Sequence, residues 1–246
     1  MATKVVSINI ERHKHFDKVV AFLAKENPEI IGLMEVCEAD VVVLAQDKYP
    51  YTVYAPNDVM PEAEGSGTTG VAILSKKPIE WSEKFYCNEA DRAYLEKPGM
   101  GTHAPILVLA KIGDLQIGAV HFSWTANGSI DERQRKHVEI LLDYLSTKGE
   151  LVLCGDFNIP RGNEMYQKLQ MNYLDNIPTE IETTLDPNLH RANIETPGKL
   201  KFVVDYVWTS LPGDSRQAVP KYVISELRVE QGVSDHCGVV FQVLVI

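Results

Sequence analysis

Two polar side chains follow the apolar segment from Leu151 to Cys154, in the stretch LVLCGDFNIP. Asp156 and Asn158 are two positions apart, and a strand places alternate side chains on the same face. A carboxylate and an amide held side by side at the end of a rigid strand are suited to bind a metal ion, a water molecule or a phosphate. Asp, Asn and Gly are also common turn residues, so this stretch alone leaves a purely structural role open.

The same arrangement recurs elsewhere, wherever an apolar segment meets a polar or ionisable residue. With the two residues above, these positions form one candidate set: Asn9, Glu11, Glu35, His121, Asp156, Asn158, Asp205, Asp235 and His236. Carboxylates and amide carbonyls are hard oxygen ligands that suit Mg²⁺ or Mn²⁺ better than zinc. The histidines supply phosphate contacts or proton transfer, and an aspartate beside a histidine holds its tautomer and stabilises its charged form.

This set of groups is what metal-assisted hydrolysis of a phosphate ester requires. It offers ligands for a cation, a carboxylate that activates water, and donors for the developing negative charge. The sequence contains no serine nucleophile elbow, no Walker A loop and no GxGxxG fingerprint. Because residues from several strands often meet at one edge of a core, we predict a single site assembled from strand ends.

The elements that must hold these residues alternate between strand and helix patterns. A 3.6-residue apolar period predicts helices over residues 16–27, 39–48, 129–149 and 163–170. Ser129 and Glu132 fit a capping box at the start of the third helix. Residues 56–70 are expected to form a loop, and residues 176–199 to be irregular. About a dozen strands, several of them adjacent without a helix between, favour an α/β fold of two mixed sheets packed face to face with helices outside.

Composition indicates an ordinary globular chain. The 246 residues contain no evident linker, so residues 1–246 are expected to form a single domain. No apolar run reaches about 18 residues, so we expect no membrane association. The four cysteines form no CxxC pair and no export signal is visible, which predicts free thiols and a cytoplasmic location. The net charge of −10 argues against a protein that coats nucleic acid, but it allows an enzyme that meets phosphates through divalent metals.

Six motifs make the chain resemble the endonuclease/exonuclease/phosphatase superfamily. They span Asn9 to His236 and occur in that superfamily's order: SINIE, LMEV, GAVHF, GDFN, VVDYV and SDH. The resemblance implies a four-layer α/β/β/α sandwich, which agrees with the predicted elements. It also implies a hydrolase of phosphoesters that depends on Mg²⁺ or Mn²⁺.

The resemblance assigns roles around the metal. Glu35 corresponds to the main metal ligand, and Asn9 beside it helps to position metal and phosphate. Asp235 corresponds to a second ligand or a support for the metal site. Glu11 stands where many relatives have Asp, which keeps the charge but lengthens the side chain. Asp156 corresponds to the group that orients or deprotonates the attacking water.

The other residues of the set are implied to contact the phosphate. Asn158 is expected to bind it in the transition state, and His121 and His236 to contact its oxygens, with Asp205 orienting His236. Structural alternatives are a core histidine at His121 and a buried structural hydrogen bond at Asp205. Glu35 is expected to lie buried among apolar residues, where an unpaired carboxylate is costly and therefore points to function.

Several further residues have a simpler interpretation. Trp124 is placed either to stack on a base or another flat group, or to cover the edge of the core. The following basic residues are expected to lie on solvated helix faces: His13, His15, Arg133, Arg135, Lys136 and His137.

The loops favour nucleic acid as the substrate, DNA in preference to RNA. The segments DERQRKH, GDFNIPRG and TTLDPNLHRANIETPGKLKFVVDYVW are most similar to the tyrosyl-DNA phosphodiesterase branch of the superfamily. The chain lacks the Cys-Asp-Arg segment of the inositol phosphatases, because Val204 and Tyr206 flank Asp205. A small soluble phosphoester is the second possible substrate. A binding module without catalysis is a third alternative, against which the intact Glu35 and Asp156 argue.

Overall fold

Twelve strands and five α-helices are present in the computed structural model, which describes residues 2–46, 48–60, 67–87, 104–195, 201–212 and 219–246. The strands are β1 (Thr3–Asn9), β2 (Ile30–Cys37), β3 (Tyr51–Val59), β4 (Thr68–Ser75), β5 (Trp81–Tyr86), β6 (Ile106–Ile112), β7 (Leu115–His121), β8 (Val152–Asp156), β9 (Tyr173–Asp175), β10 (Asp205–Ser210), β11 (Tyr222–Glu230) and β12 (Gly238–Val245). The helices are α1 (Phe16–Glu26), α2 (Glu38–Ala45), α3 (Glu132–Ser146), α4 (Glu164–Gln170) and α5 (Arg191–Glu195).

The strands form two six-stranded mixed sheets. The strand order is β11-β12-β1-β2-β4-β3 in the first sheet and β5-β6-β7-β8-β10-β9 in the second. Each sheet contains one parallel pair, β1 with β2 and β7 with β8, and its other described pairs are antiparallel. A parallel pair needs a crossover, and α1 and α3 supply these two connections.

Helices cover the outer faces of both sheets. Val19, Phe22 and Leu23 of α1 are buried in one apolar cluster with β1 and β2 residues. Val138 and Leu141 of α3 are buried in a second cluster that also holds the residues between the two sheets. The predicted four-layer α/β/β/α sandwich of two mixed sheets is therefore confirmed.

Small side chains let the two sheets approach closely near the middle of the core. A methyl group at Gly32 of β2 would lie 3.3 Å from Sγ of Cys154 and 3.4 Å from Cβ of Ala119. Cys154 and Ala119 belong to β8 and β7, so this contact joins the parallel pairs of the two sheets. The four cysteines are buried and none of them forms a disulfide, as predicted.

Three element predictions need correction. Helix α3 is capped by Asp131, whose carboxylate accepts the Gln134 N–H at 2.7 Å, and not by a capping box from Ser129. Part of the segment predicted to be a loop, residues 56–70, is strand, because β3 continues to Val59 and β4 begins at Thr68. Residues 61–66 of this segment lie outside the described residues.

Helix α5 lies within the segment predicted to be irregular. Among the residues that the structure describes, no helix combines the length and the apolar character needed to cross a membrane.

Candidate active site

The register of the sheets brings the predicted strand ends to one edge. In the first sheet β1 ends at Asn9, alongside Glu35 of β2. In the second sheet β7 places His121 opposite Asp156, and β10 places Asp205 opposite the same residue. These ends meet at a cleft of about 450 Å³. Seven residues of the predicted set line the cleft: Glu11, Glu35, His121, Asp156, Asn158, Asp235 and His236. The other two, Asn9 and Asp205, are buried and bond to cleft residues.

The turn after β8 fixes Asp156 and Asn158. Gly155 has a φ of +132°, and a Cβ there would lie 2.2 Å from the carbonyl oxygen of Val120, so only glycine allows this approach to β7. Asn158 has a φ of +53° and donates its backbone N–H to Oδ1 of Asp156 at 2.9 Å. Its side-chain amide donates to Phe122 O at 3.1 Å and to Asp156 Oδ2 at 3.3 Å. The turn, and not alternation within the strand, therefore brings the two side chains together.

Glu35 lies on a β-bulge. The pairing of β2 with β4 shifts register between Leu33 and Val36, and Glu35 between them has a φ of +53°. Bulges bend a strand and re-aim its side chains, often beside active sites. The Glu35 side chain is 29% exposed, which corrects the expectation of a buried carboxylate. Its side chain lines the cleft and is partly open to solvent.

Asn9 links the two sheets. Its Nδ2 donates to Oε1 of Glu35 at 3.2 Å and to Oδ2 of Asp156 at 3.1 Å. Since its N–H donors face two carboxylates, its oxygen is turned toward the backbone, where it accepts the Glu11 N–H at 3.1 Å. These bonds support the predicted positioning role of Asn9. They do not support its predicted role as a metal ligand.

A buried series of ionisable groups runs from Asp205 through His236 to Asp156. Nδ1 of His236 lies 2.9 Å from Oδ2 of Asp205, and its Nε2 lies 3.8 Å from Oδ2 of Asp156. Burial by itself would lower the pKa of His236, but Asp205, Asp156 and Asp235 outweigh burial and raise this pKa well above its ordinary value. These charges favour the imidazolium form of His236, with the Nδ1 proton directed at Asp205.

Burial raises the pKa of Asp156 above its ordinary range. The charge of Asp205 adds to this effect, while the positive charge of His236 and hydrogen bonds from Asn158 and Asn9 oppose it. A carboxylate with a raised pKa is a better acceptor for the proton of a water molecule than an exposed aspartate.

His121 points its Nε2 at the carboxylates, 3.6 Å from Glu35 and 3.8 Å from Asp156. Its Nδ1 lies 3.1 Å from Nδ2 of Asn57, which also donates to Ala104 O at 3.1 Å. Because the Asn57 amide is a donor, Nδ1 of His121 accepts and Nε2 carries the proton. The sequence did not predict Asn57 as a site residue, because it lies in the segment predicted to be a loop, where β3 in fact continues.

Glu11 and Asp235 lie at the open side of the cleft. Glu11 pairs with Lys14 and lies 3.2 Å from Nε2 of His15. The pKa of Asp235 is raised to about 6, chiefly by burial; the positive charge of His236 lowers it, and the negative charges of Glu11 and Glu35 add to the increase. Several carboxylates that face one cleft form the oxygen-rich, negative environment that a divalent cation neutralises.

The side chains of this site fit a hard divalent cation. Glu35 and Asp235 offer carboxylate oxygens at the open cleft, whereas Glu11 is engaged by two basic side chains. Among the described residues, Asp156, Asp205 and His236 also bring ligand-type atoms within 4.8 Å of one another. In this second group Asp205 and His236 are hydrogen-bonded to each other. We therefore expect the group to handle protons and contact phosphate rather than to bind the metal ion.

Several residues lie where the sequence analysis did not place them. His137 was expected on a solvated helix face, but it is buried and its Nδ1 lies 2.6 Å from the Ser123 hydroxyl. Trp124 is 55% exposed and lines the cleft, so it does not cover the core. Thr184, which was not singled out, is buried and accepts the backbone N–H of Asp205 at 3.0 Å. His190 also lines the cleft.

The sequence profile of the endonuclease/exonuclease/phosphatase family matches residues 6–236. The chain belongs to this family. Its members are hydrolases that act on phosphoesters and generally depend on divalent metals, and the buried acidic and histidine groups described above accord with that chemistry. No curated protein sequence matches the chain.

Solved structures of low sequence identity share the fold over its whole length. An endonuclease/exonuclease/phosphatase from Bacteroides vulgatus is 16% identical, with a TM-score of 0.72 and 100% of both chains covered. TDP2 from D. rerio, humanized by 14 mutations, is 14% identical, with a TM-score of 0.64 and 99% of both chains covered. A mannosyl-6-phosphatase from Bacteroides thetaiotaomicron VPI-5482 is 14% identical, with a TM-score of 0.62 and 98% of this chain and 99% of that chain covered.

Proposed function

We propose that this protein is a divalent-metal-dependent phosphodiesterase that hydrolyses phosphoester bonds in nucleic acid, DNA in preference to RNA. One observation carries the proposal. Asn9 bridges the cleft carboxylate of Glu35 and the buried carboxylate of Asp156, within 3.2 Å of each, so the predicted cation site and the predicted base face the same space. Hydrolysis of a phosphate ester needs both groups on one substrate.

The side chains divide the reaction between them. Asp156 accepts a proton from water as the water oxygen attacks phosphorus and the phosphorus–oxygen ester bond breaks, and the leaving oxygen departs as an alcohol after taking a proton from solvent. His236, held by Asp205, and His121 donate hydrogen bonds to phosphoryl oxygens as negative charge develops there. Glu35 and Asp235 would hold the divalent cation, which supplies charge neutralisation for the phosphoryl group when bound.

Trp124 supports a nucleic-acid substrate. Its ring is 55% exposed at the cleft, and Nη2 of Arg133 donates to its carbonyl oxygen at 2.9 Å. A flat exposed ring beside a phosphate site is suited to stack on a base. The loop similarity to the tyrosyl-DNA phosphodiesterase branch and the shared fold with TDP2 favour processing of a DNA end.

The charge of the molecule favours a second candidate, a small soluble phosphoester. The net charge is −10, and the Lys14 and Arg191 side chains at the cleft each pair with a glutamate, Glu11 and Glu195. Long nucleic acids are held mainly by cations that contact successive phosphates. A small substrate needs only the central phosphate contacts, and one structure of the same fold is a mannosyl-6-phosphatase.

A hydrolysis panel distinguishes these candidates. It contains single- and double-stranded DNA, abasic DNA, 5′-tyrosyl DNA, RNA, and small phosphomonoesters and diesters, each with Mg²⁺, Mn²⁺ or EDTA. We expect metal-dependent cleavage of a DNA substrate, lost in Asp156→Asn and kept in Glu139→Gln, a matched carboxylate-to-amide change on the exposed face of α3. Turnover of small phosphoesters alone would establish the second candidate. No turnover of any substrate would leave a binding module.

A further inference from the structure

His190 lies in the cleft beside the histidine of the buried ionisable series. Its ring centroid is 6.2 Å from that of His236, and the two ring planes are inclined by 71°. It stands in the loop before α5, in a segment that the sequence analysis predicted to be irregular. His190 lies within the loop segment TTLDPNLHRANIETPGKLKFVVDYVW but outside the six family motifs, and the proposed reaction gives it no role.

The segment that carries His190 is firmly held. Asp186 is fully buried, and its carboxylate accepts the backbone N–H groups of Asn188, Leu189 and Gly232 at 2.6 to 2.9 Å. Its carbonyl oxygen accepts the backbone N–H of His190 at 3.2 Å. The imidazole is therefore positioned by the fold, in the way that a group for substrate binding requires.

The two ring nitrogens of His190 have different surroundings. Nδ1 is buried and has no hydrogen-bond partner among the residues that the structure describes. Burial, with the positive charge of His236 beside it, lowers the pKa of His190, so the ring is neutral. An unpaired buried N–H is costly, and the single proton of a neutral ring therefore belongs on Nε2.

We propose that His190 is a substrate-binding residue that donates its Nε2 proton to a phosphoryl oxygen of the phosphoester. Leu185 and Phe202 form an apolar wall of the same cleft, where the organic part of the ester fits. His236 supplies the charged contact and His190 a neutral one beside it, which avoids two adjacent imidazolium groups. This assignment rests on the proposed function, because it takes a phosphoester to be the ligand.

Paired substitutions test which nitrogen donates. The amide of Gln places an N–H near the position of Nε2, whereas the amide of Asn places it near Nδ1. We expect His190→Asn and His190→Ala to raise KM for the substrate found in the panel roughly tenfold, with a smaller change in kcat, and His190→Gln to restore most of the affinity. Equal KM values for the native chain and His190→Asn would overturn the proposal, as would equal losses in the Gln and Asn variants.

A second measurement does not depend on turnover. Long-range ¹H–¹⁵N spectra of the native chain with ¹⁵N-labelled histidine report the tautomer of each ring, and the signals that His190→Gln removes belong to His190. We expect a neutral Nε2–H tautomer whose Nε2 resonance shifts when inorganic phosphate is added in the presence of EDTA. A proton on Nδ1, or a resonance that phosphate leaves unchanged, would refute the role of His190. The absence of turnover in the panel would refute only the proposed function.

Discussion

The two sheets contribute to the cleft in opposite ways. From the first sheet comes Glu35, a carboxylate that is 29% exposed on a bulge. From the second come Asp156 and Asp205, whose side chains are only 2% and 4% exposed and which pack around His236. A partly exposed carboxylate is available to a cation, whereas Asp156 is removed from water and burial raises its pKa above the ordinary range. The site therefore has an exposed half, in which Glu35 of the first sheet would bind the metal, and a buried half, in which residues of the second sheet handle protons.

The largest effect is expected in the buried half. Asp156→Asn keeps the shape and the bond to the Asn158 N–H but removes the proton acceptor, so kcat should fall roughly 10²–10⁴-fold. Because the pKa of Asp156 is raised in the folded chain, its charged form costs stability above that pKa; the amide removes this cost but places an N–H group against the side-chain amides of Asn9 and Asn158, so Tm at neutral pH should change little. Turnover and thermal unfolding measure both quantities. A large loss of Tm would show that the hydrogen bonds accepted by Asp156 stabilise the fold by more than its charge costs.

The exposed half should respond through the metal. Glu35→Gln removes one anionic oxygen from the cleft, so the Mn²⁺ concentration for half-maximal activity should rise roughly 10–100-fold. Excess Mn²⁺ should restore part of the activity, which it should not do for Asp156→Asn. Calorimetric titration with Mn²⁺ measures the affinity directly. Equal Mn²⁺ affinities in the native and Glu35→Gln chains would assign the metal to other residues.

Asn57 positions His121, whose Nε2 faces Glu35 of the exposed half and Asp156 of the buried half. Asn57→Ala removes the donor to Nδ1 of His121 and leaves the Ala104 carbonyl without that bond. We expect activity to fall roughly tenfold and the free energy of unfolding to fall by about 1–3 kcal/mol. Denaturant unfolding and turnover would be measured together. A stability loss with unchanged turnover would show that the orientation of His121 does not matter for catalysis.

The smallest effect on activity is expected at Glu26, on the outer face of the first sheet. Burial by itself would raise the pKa of Glu26, but hydrogen bonds from Arg228 and Lys4 outweigh burial and lower it. A lowered folded-state pKa gives stability above the ordinary value of 4.5 that is lost as pH falls through the folded-state pKa. Glu26→Gln should therefore lower the free energy of unfolding by about 1–3 kcal/mol near pH 7 and by much less near pH 3. Turnover, measured alongside, should match that of the native chain.

The sequence predicted the fold and most of the cleft because both depend on short-range patterns. Short, mainly apolar runs predict strands such as β7 and β8, and the polar residue that ends each strand marks the edge of the sheet. His121, Asp156 and Asp205 meet because neighbouring strands share a register. The pairing of β8 with β7 and β10 was not predicted from the sequence and comes from the structure.

What the sequence did not predict depends on contacts between distant segments. The bulge at Glu35 arises from pairing with β4 and has no local signature, so its exposure was missed. Asn57 and Thr184 act by hydrogen bonds to residues 64 and 21 positions away, His121 and Asp205. His137 looked solvated because its neighbours on α3 are charged, yet its own side of the helix is buried.

The close approach of the two sheets at Gly32, Ala119 and Cys154 helps to set the spacing of the sheets beneath the active-site cleft. The absence of a side chain at Gly32 and the small side chains of Ala119 and Cys154 let the parallel pairs of the two sheets lie close together, and the bridge that Asn9 makes between Glu35 and Asp156 joins the same two sheets. Interiors are close-packed, so a methyl group added at Gly32 would require Cys154 or Ala119 to shift by a few tenths of an ångström. The volume of side chains in the core therefore helps to set the distance between the cation site and the base. A substitution in the core can thus change catalysis without altering any reacting group.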